Sequence, residues 1–324
     1  MSATVGAGRT VLVGPVRYAE LCGDGRDLLL DAGFGLVENP TPVPYTQAEL
    51  PDLVRDAHAV VAGVEIYDED VLAAASGLKV IARLGVGLDN IDLAACRRRG
   101  ITVANVPGGN ANAVAELALA LMLSVLRRIP VMDARIRRGE WDRFTGRELT
   151  GKTVGLVGFG ATSRELARRL RGFDVRLLVT DPAVDVAATA ELGATATSLT
   201  DLLAASDVVS LHAPHTPATH HLGGAEFFRA MRTDAVFVNT SRGGLVDEAA
   251  LHDALRTGEI AGAGLDVWEV EPVAAANPLL RLDNVVATTH GAADTVEAYR
   301  TVGLSTARAI VDVFAGRRPR HQRN

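Results

Sequence analysis

Cysteine is nearly absent. Only Cys22 and Cys96 occur in 324 residues, too few and too far apart for a disulfide framework or a thiolate metal site. A reducing, cytoplasmic compartment is therefore expected. Aromatic residues are also scarce, at 4%, in a chain that is 48% hydrophobic. Its interior must be filled by Ala, Val and Leu, which suits helices packed on a parallel sheet. The N-terminus "MSATVGAGRT" lacks a basic segment followed by an apolar core, so no signal peptide is expected. The most apolar run, "LALALMLSVL" at 117–126, is bounded by Glu116 and Arg127 and falls well short of the ~20 residues that a bilayer requires. No basic stripe offsets the net charge of −6, which disfavours nucleic acid as a partner. The "RRRG" run at 97–100 reads as the solvated end of a helix.

What is present is a repeated alternation, in a chain long enough for two domains with separate cores. "TVLVG" (10–14), "HAVVAG" (58–63) and "LKVIARL" (78–84) read as strands, and residues 18–32, 46–56 and 68–76 have helical spacing. The pattern restarts at "KTVGLVG" (152–158) and continues through "VRLLVTD" (175–181), "DVVSLHA" (207–213), "AVFVNTS" (235–241), "IAGAGLDV" (260–267) and "NVVATTH" (284–290). Such alternation implies an α/β fold with two doubly wound parallel-sheet domains and right-handed crossovers. A loop at 106–110 leads into one long helix that Pro130 is expected to end. The last helix, at 293–315, is expected to return to the first unit. One domain is then 1–106 plus 296–324, and the other 107–295. "VGAG" at 5–8 reads as a flexible segment, and the tail "GRRPRHQRN" as frayed.

"TVGLVGFGATSRELARRL" (153–170) opens the second unit with G-x-G-x-x-S. The dinucleotide fingerprint has a third glycine where Ser163 stands. Gly158 permits the tight turn, and Gly160 lets a pyrophosphate approach the backbone. The amides that open the helix, at Ala161 and Thr162, face the phosphates. The third glycine serves helix–strand packing, so Ser163 should leave the phosphate contacts intact, its hydroxyl bonding back to a helix carbonyl. Asp181 ends the next strand, where an acid binds the adenosine ribose hydroxyls. The same residue could simply make a turn before Pro182, but that would not account for its spacing from Gly158. A carboxylate there, with no Lys or Arg in "DPAVDVAAT", favours NAD over NADP.

Three strand ends of the second unit carry charged or titratable groups: Arg242 in "NTSRGGLVDEAAL", Glu269 and Glu271 in "GLDVWEVEP", and His290 in "VVATTHGAADTVEA". Arginine can grip a carboxylate with two donors, and histidine can exchange a proton near neutral pH. These segments, with "LGVGLDNIDLAA", "ELTGKTVGLVGFG" and "LHAPHTPATHHL" in the same order, resemble the D-isomer-specific 2-hydroxyacid dehydrogenases over nearly the whole chain. The resemblance implies a flavodoxin-like substrate domain, a Rossmann nucleotide-binding domain and a homodimer. Arg242 would bind the substrate carboxylate and keto oxygen, His290 would be the acid/base and Glu271 its partner. Backbone amides around Val86 and Gly87 would hold the carboxylate. Asp266 would take the nicotinamide amide, and His212, Ala213, Pro214, Thr240 and Ser241 would line the cofactor. Glu269 reads as a solvated neighbour.

The chain departs from the family in two places. Thr289 replaces the usual proline before the histidine, and Gly291 follows where a larger apolar residue is common, which implies a less rigid backbone there. His212, His215, His220 and His221 lack accompanying acids or thiols at ligand spacing, so no metal site is expected. Two rivals share the fold, an NAD(H)-sensing corepressor and a phosphite or formate dehydrogenase. No added interaction arm supports the first. Val86 and Glu271, where phosphite and formate enzymes carry lysine and glutamine, disfavour the second. The Ala62–Gly63 pair followed by Glu65 offers a phosphate no charge partner, and no C-terminal regulatory domain is expected. An unphosphorylated acid such as glyoxylate or hydroxypyruvate is favoured.

Overall fold

The computed structural model describes residues 4–324. They form two compact units, one made of the residues up to Asn110 with Asp294–Asn324 and one of Ala111–Ala293. In the first, β1 (Thr10–Val13), β2 (Gly35–Glu38), β3 (Ala59–Ala62), β4 (Val80–Arg83) and β5 (Thr102–Ala104) pair in parallel in the order β2-β1-β3-β4-β5. The β-branched central strands are buried on both faces. Leu12, Val60, Ile81 and Val103 pack with Tyr67 and Leu72 on one side, while Val11, Val13, Val61 and Val80 pack with Leu29, Ala307 and Ile310 on the other. The helix Val296–Phe314 returns to this unit and lies on the helix Gly23–Asp31 and on β4.

Several local expectations are corrected. The helix expected at 18–32 breaks at Cys22 into Tyr18–Leu21 and Gly23–Asp31. Residues 5–8 form a hydrogen-bonded turn, the Gly6 amide donating to Ala32 O at 2.8 Å. The tail docks on β5, the Arg323 amide donating to Val103 O at 2.8 Å. Arg98 and Arg99, at the end of the helix Leu93–Arg98, are both paired with Glu69 rather than merely solvated.

The second unit holds β6 (Thr153–Val157), β7 (Arg176–Thr180), β8 (Ala194–Ala196), β9 (Val208–Leu211), β10 (Val236–Asn239), β11 (Gly262–Leu265) and β12 (Val285–Ala287), all parallel, in the order β12-β11-β10-β9-β6-β7-β8. Strand order reverses between β6 and β9, and ligands bind beyond the carboxyl ends of strands at such a reversal. The helix Ala111–Arg127 packs on the helix Ala161–Leu170 and on β10 and β11. Pro130 does not end that helix. Arg128 does, by taking a left-handed conformation (φ 53°), and Pro130 sits in the first turn of the next helix, Ile129–Arg137. A first-turn amide has no helical acceptor, so proline is tolerated there. No helix among the described residues is long and apolar enough to cross a membrane.

Candidate active site

The glycine loop joins β6 to the helix Ala161–Leu170. A Cβ on Gly158 (φ 91°) would lie 2.7 Å from the His212 carbonyl, so the fold itself requires glycine there. Gly160, the N-cap, has an ordinary φ of −76°, and a Cβ on it would meet nothing within 4 Å. The protein makes no demand for glycine at this position, whereas a close-approaching pyrophosphate would. Ala161 and Thr162 open the helix with amides that lack helical acceptors. Ser163 falls on the buried face with Leu166, Ala167 and Leu170. Its Oγ has no hydrogen-bond partner, so the expected bond back to a helix carbonyl does not form.

Asp181 follows β7, which pairs with β6 so that Thr180 stands opposite Val157. One carboxylate oxygen accepts the Phe159 amide at 2.7 Å, and the other accepts the Ala183 amide at 2.8 Å. The turn and the tie to the glycine loop therefore coexist. Across the strand reversal, the His212 amide donates to Val157 O at 2.7 Å, and Ala213 and Pro214 continue outward. The His212 Nε2 lies 2.9 Å from Ser210 Oγ, and burial pushes the imidazole down to about 4. After β10, Ser241 Oγ donates to Leu211 O at 2.8 Å. The His212 Nδ1 and the Thr240 Oγ1 are buried without a partner. An unsatisfied buried polar atom costs about 1–3 kcal/mol, and a nucleotide's hydroxyl and amide groups have the chemistry to satisfy both. The residues present fit a dinucleotide.

β10, β11 and β12 are neighbours, and their carboxyl ends carry Arg242, the 266–271 segment and His290. The His290 Nδ1 lies 2.6 Å from Glu271 Oε2. A carboxylate only accepts, so Nδ1 carries the hydrogen and Nε2 is the nitrogen not engaged by Glu271. Glu271 is itself placed by the Trp268 amide, which donates to Oε1 at 3.0 Å. Arg242 follows β10 with Nη1 donating to Ser241 O at 2.7 Å, and the Asn239 side chain donates to Arg242 O at 2.9 Å. Gly243 admits no side chain, since a Cβ there would fall 1.8 Å from Trp268 O.

His290 adopts φ 56°, a left-handed conformation unusual for a non-glycine residue. Its amide donates to Asp266 O at 2.7 Å. The fully buried Asp266 carboxylate accepts Thr288 Oγ1 at 2.6 Å and the Gly291 and Ala292 amides at 3.0 Å. Trp268 Nε1 donates to Thr288 O at 3.0 Å. These bonds hold the backbone that Thr289 and Gly291 would otherwise leave loose. Sequence reasoning placed Asp266 only toward the cofactor and gave Trp268 no role, although a lone acid closing an apolar strand was a signal of buried donors nearby.

Glu269 is more than a solvated neighbour. Its Oε1 lies 2.5 Å from His221 Nε2. The His215 Nε2 is 3.2 Å from the His220 Nδ1, and the rings of His220 and His221 stack at 3.9 Å. Among the described residues no group of three or more His, Cys, Asp or Glu is arranged to hold a metal. In the first unit, Val86 and Gly87 lie just beyond β4, where the Asn105 Nδ2 donates to Val86 O at 2.6 Å. Glu65, beyond β3, is buried, with Oε2 accepting the Gly63 amide at 2.8 Å. Burial raises its carboxyl above the usual range.

Residues 119–292 match the family model described as D-isomer specific 2-hydroxyacid dehydrogenase, NAD binding domain. The chain is 42% identical over 307 residues to a glyoxylate reductase of Thermofilum pendens, covering 91% of this chain and 89% of that one. It is 45% identical over 251 residues to a D-3-phosphoglycerate dehydrogenase of Archaeoglobus fulgidus, covering 77% of this chain but 48% of the relative. The chain thus spans about half the length of the phosphoglycerate dehydrogenases it matches. The solved structure of the pyruvate reductase of Chlamydomonas reinhardtii is similar over 99% of this chain and 100% of its own, with TM-score 0.87 and 30% identity.

Proposed function

The chain belongs to the D-isomer specific 2-hydroxyacid dehydrogenase family, and from that premise we propose that it is an NAD-dependent oxidoreductase interconverting a small D-2-hydroxy acid and its 2-keto acid. The observation that carries the reading is the His290–Glu271 pair at 2.6 Å, at the end of a strand two places from the one that delivers Arg242. Bound NAD supplies the hydride acceptor and donor at its nicotinamide. Gly158, Gly160, Ala161, Thr162 and Asp181 hold its adenosine and phosphate end, and His212, Ala213, Pro214, Thr240 and Ser241 line its path along the sheet. Asp266 keeps the end of β11 and the His290 backbone in register, its buried carboxylate already accepting three donors, and a contact to the nicotinamide amide rests on the family resemblance alone.

Arg242 grips the substrate's carboxylate and keto oxygen, so that charge developing on that oxygen is offset. His290 donates its Nε2 proton to the oxygen in reduction and accepts it in oxidation. Glu271 fixes the tautomer that makes Nε2 the exchanging nitrogen. The carboxylate-holding role of the Val86 and Gly87 amides rests on the family resemblance. The Ala62–Gly63 pair followed by Glu65 carries no cation for a phosphate, which favours an unphosphorylated acid such as glyoxylate or hydroxypyruvate.

A cytoplasmic homodimer completes the proposal. The helix Ile129–Arg137 buries none of its residues, and Ile129, Ile136 and Trp141 are 47%, 49% and 81% exposed. These exposed apolar side chains are the surface that the dimer would cover. Sedimentation of the wild type and of Trp141→Glu should show a dimer and its weakening.

The deciding assay is NADH oxidation with a panel of 2-keto acids in wild type and Arg242→Lys. Lysine keeps the charge but loses the planar fork, so kcat/KM should collapse while NADH binding persists. A lysine variant as active as wild type, or a wild type that turns over no keto acid, would refute the reading.

A further inference from the structure

The tail has a structural role that its composition conceals. Parallel sheets expose ladder groups at their edge strands, and β5 is such an edge. Residues 321–324 run along it, Gln322 making an antiparallel bridge with Ala104. The Val103 amide donates to Asn324 Oδ1 and the Asn324 Nδ2 to Ile101 O, each at 2.7 Å. This docking aims the Arg323 side chain at a buried residue. Arg323 Nε donates to Asn105 Oδ1 at 2.7 Å, and Asn105 Nδ2 donates to Val86 O at 2.6 Å. The next amide along, Val106, donates to Gly85 O at 2.9 Å.

We propose that Arg323 is a positioning residue for the loop at Val86 and Gly87, acting through the Asn105 side chain. The proposal rests on the reading above that these two amides hold the substrate carboxylate. An asparagine amide is nearly symmetric in shape, and only its partners decide which end is oxygen. Arginine has donors and no acceptor, so it holds Oδ1 toward itself and leaves Nδ2 for Val86 O. Without that donor only the bond to Val86 O restrains the amide, and the Asn105 side chain is free to swing between rotamers. The loop that carries Val86 then loses a fixed anchor and moves with the side chain. Small displacements of a carboxylate-binding loop weaken substrate binding more than they slow the chemistry.

The test compares Arg323→Ala, Arg323→Lys and Asn105→Ala in the full chain. In Arg323→Ala the KM for the keto acid should rise about tenfold, with kcat and NADH affinity within about threefold of wild type. Lysine, which also donates, should recover most of the loss. The double variant should be no worse than Asn105→Ala alone, because the two residues act in series. Hydrogen exchange at the Val106 amide should quicken in Arg323→Ala. An unchanged KM, additive losses in the double variant, or unchanged exchange at Val106 would each overturn the proposal. If exchange quickens but even the wild type reduces no keto acid, the assigned reaction fails and the proposed role toward substrate falls with it, while the hold of Arg323 on the loop stands.

Discussion

The depressed imidazole of His212 makes a quantitative prediction about acid stability. Its ring is largely buried and lies at about 4 through burial, against about 6.5 in an unfolded chain. The folded state thus favours the neutral ring, and the unfolded state binds the extra proton between those two values. Stability from this group is fully present above pH ~6.5 and is lost as pH falls toward ~4. Between pH ~7.5 and ~5 the full shift corresponds to about 2 kcal/mol. His212 keeps some accessible surface, and discounting for solvent screening brings the range to about 1–2 kcal/mol. The only tryptophans, Trp141 and Trp268, both belong to the second unit, and Trp268 is buried. Urea unfolding followed by tryptophan fluorescence therefore reads the stability of the unit that contains His212. Wild type and His212→Gln should be measured at both pH values. The variant, which has no titrating ring, should lose about 1–2 kcal/mol less than wild type on acidification. Equal losses in the two proteins would refute the argument that this ring is held neutral.

Asp181→Ala removes the acceptor of the Phe159 amide, so NADH should bind about tenfold more weakly and the preference over NADPH should narrow; unchanged Michaelis constants for both cofactors would remove Asp181 from the site. Ser163→Ala deletes a buried hydroxyl that has no partner, and should leave NAD affinity within about threefold while holding or raising stability by up to about 1 kcal/mol. A large loss of affinity would show instead that the hydroxyl serves the cofactor. Glu271→Gln replaces an obligate acceptor with an amide that can also donate, freeing the His290 tautomer, and should lower kcat/KM about a hundredfold or more in both directions. His290→Ala should do the same, with NADH titrations close to wild type for both; a fully active Glu271→Gln would end the assigned pairing.

Much of this architecture was legible because central parallel strands are written as short β-branched runs. β1, β3, β4, β6, β7, β9, β10, β11 and β12 all fall within runs read that way. The strands passed over, β2, β5 and β8, are three or four residues long. All three are edge strands, and β2 and β8 bury few of their side chains. Pro130 misled because proline both ends helices and begins them, and the deciding event was the left-handed turn at Arg128. The tail read as frayed because its composition is polar, whereas its attachment is made largely by backbone and amide groups. The motif residues were legible from their order along the chain. The roles of Asp266 and of the Trp268 side chain were not, because they consist of hydrogen bonds to residues some 20 positions away that no local spacing encodes.

The missing side chain at Gly243 constrains how the protein can change over generations. A single methyl group there would land on Trp268 O and press on the Glu269 amide. Any such change would reach the backbone that carries Glu271 and, through Trp268 and Thr288, the strand end that carries His290. Arginine, glutamate and histidine come from three separate segments, yet a side chain at the residue after the arginine would press on the backbone that leads to the other two. Selection for a new substrate would find Gly243 closed. It would have to work through the other contacts of the substrate, where single replacements leave the shared backbone undisturbed.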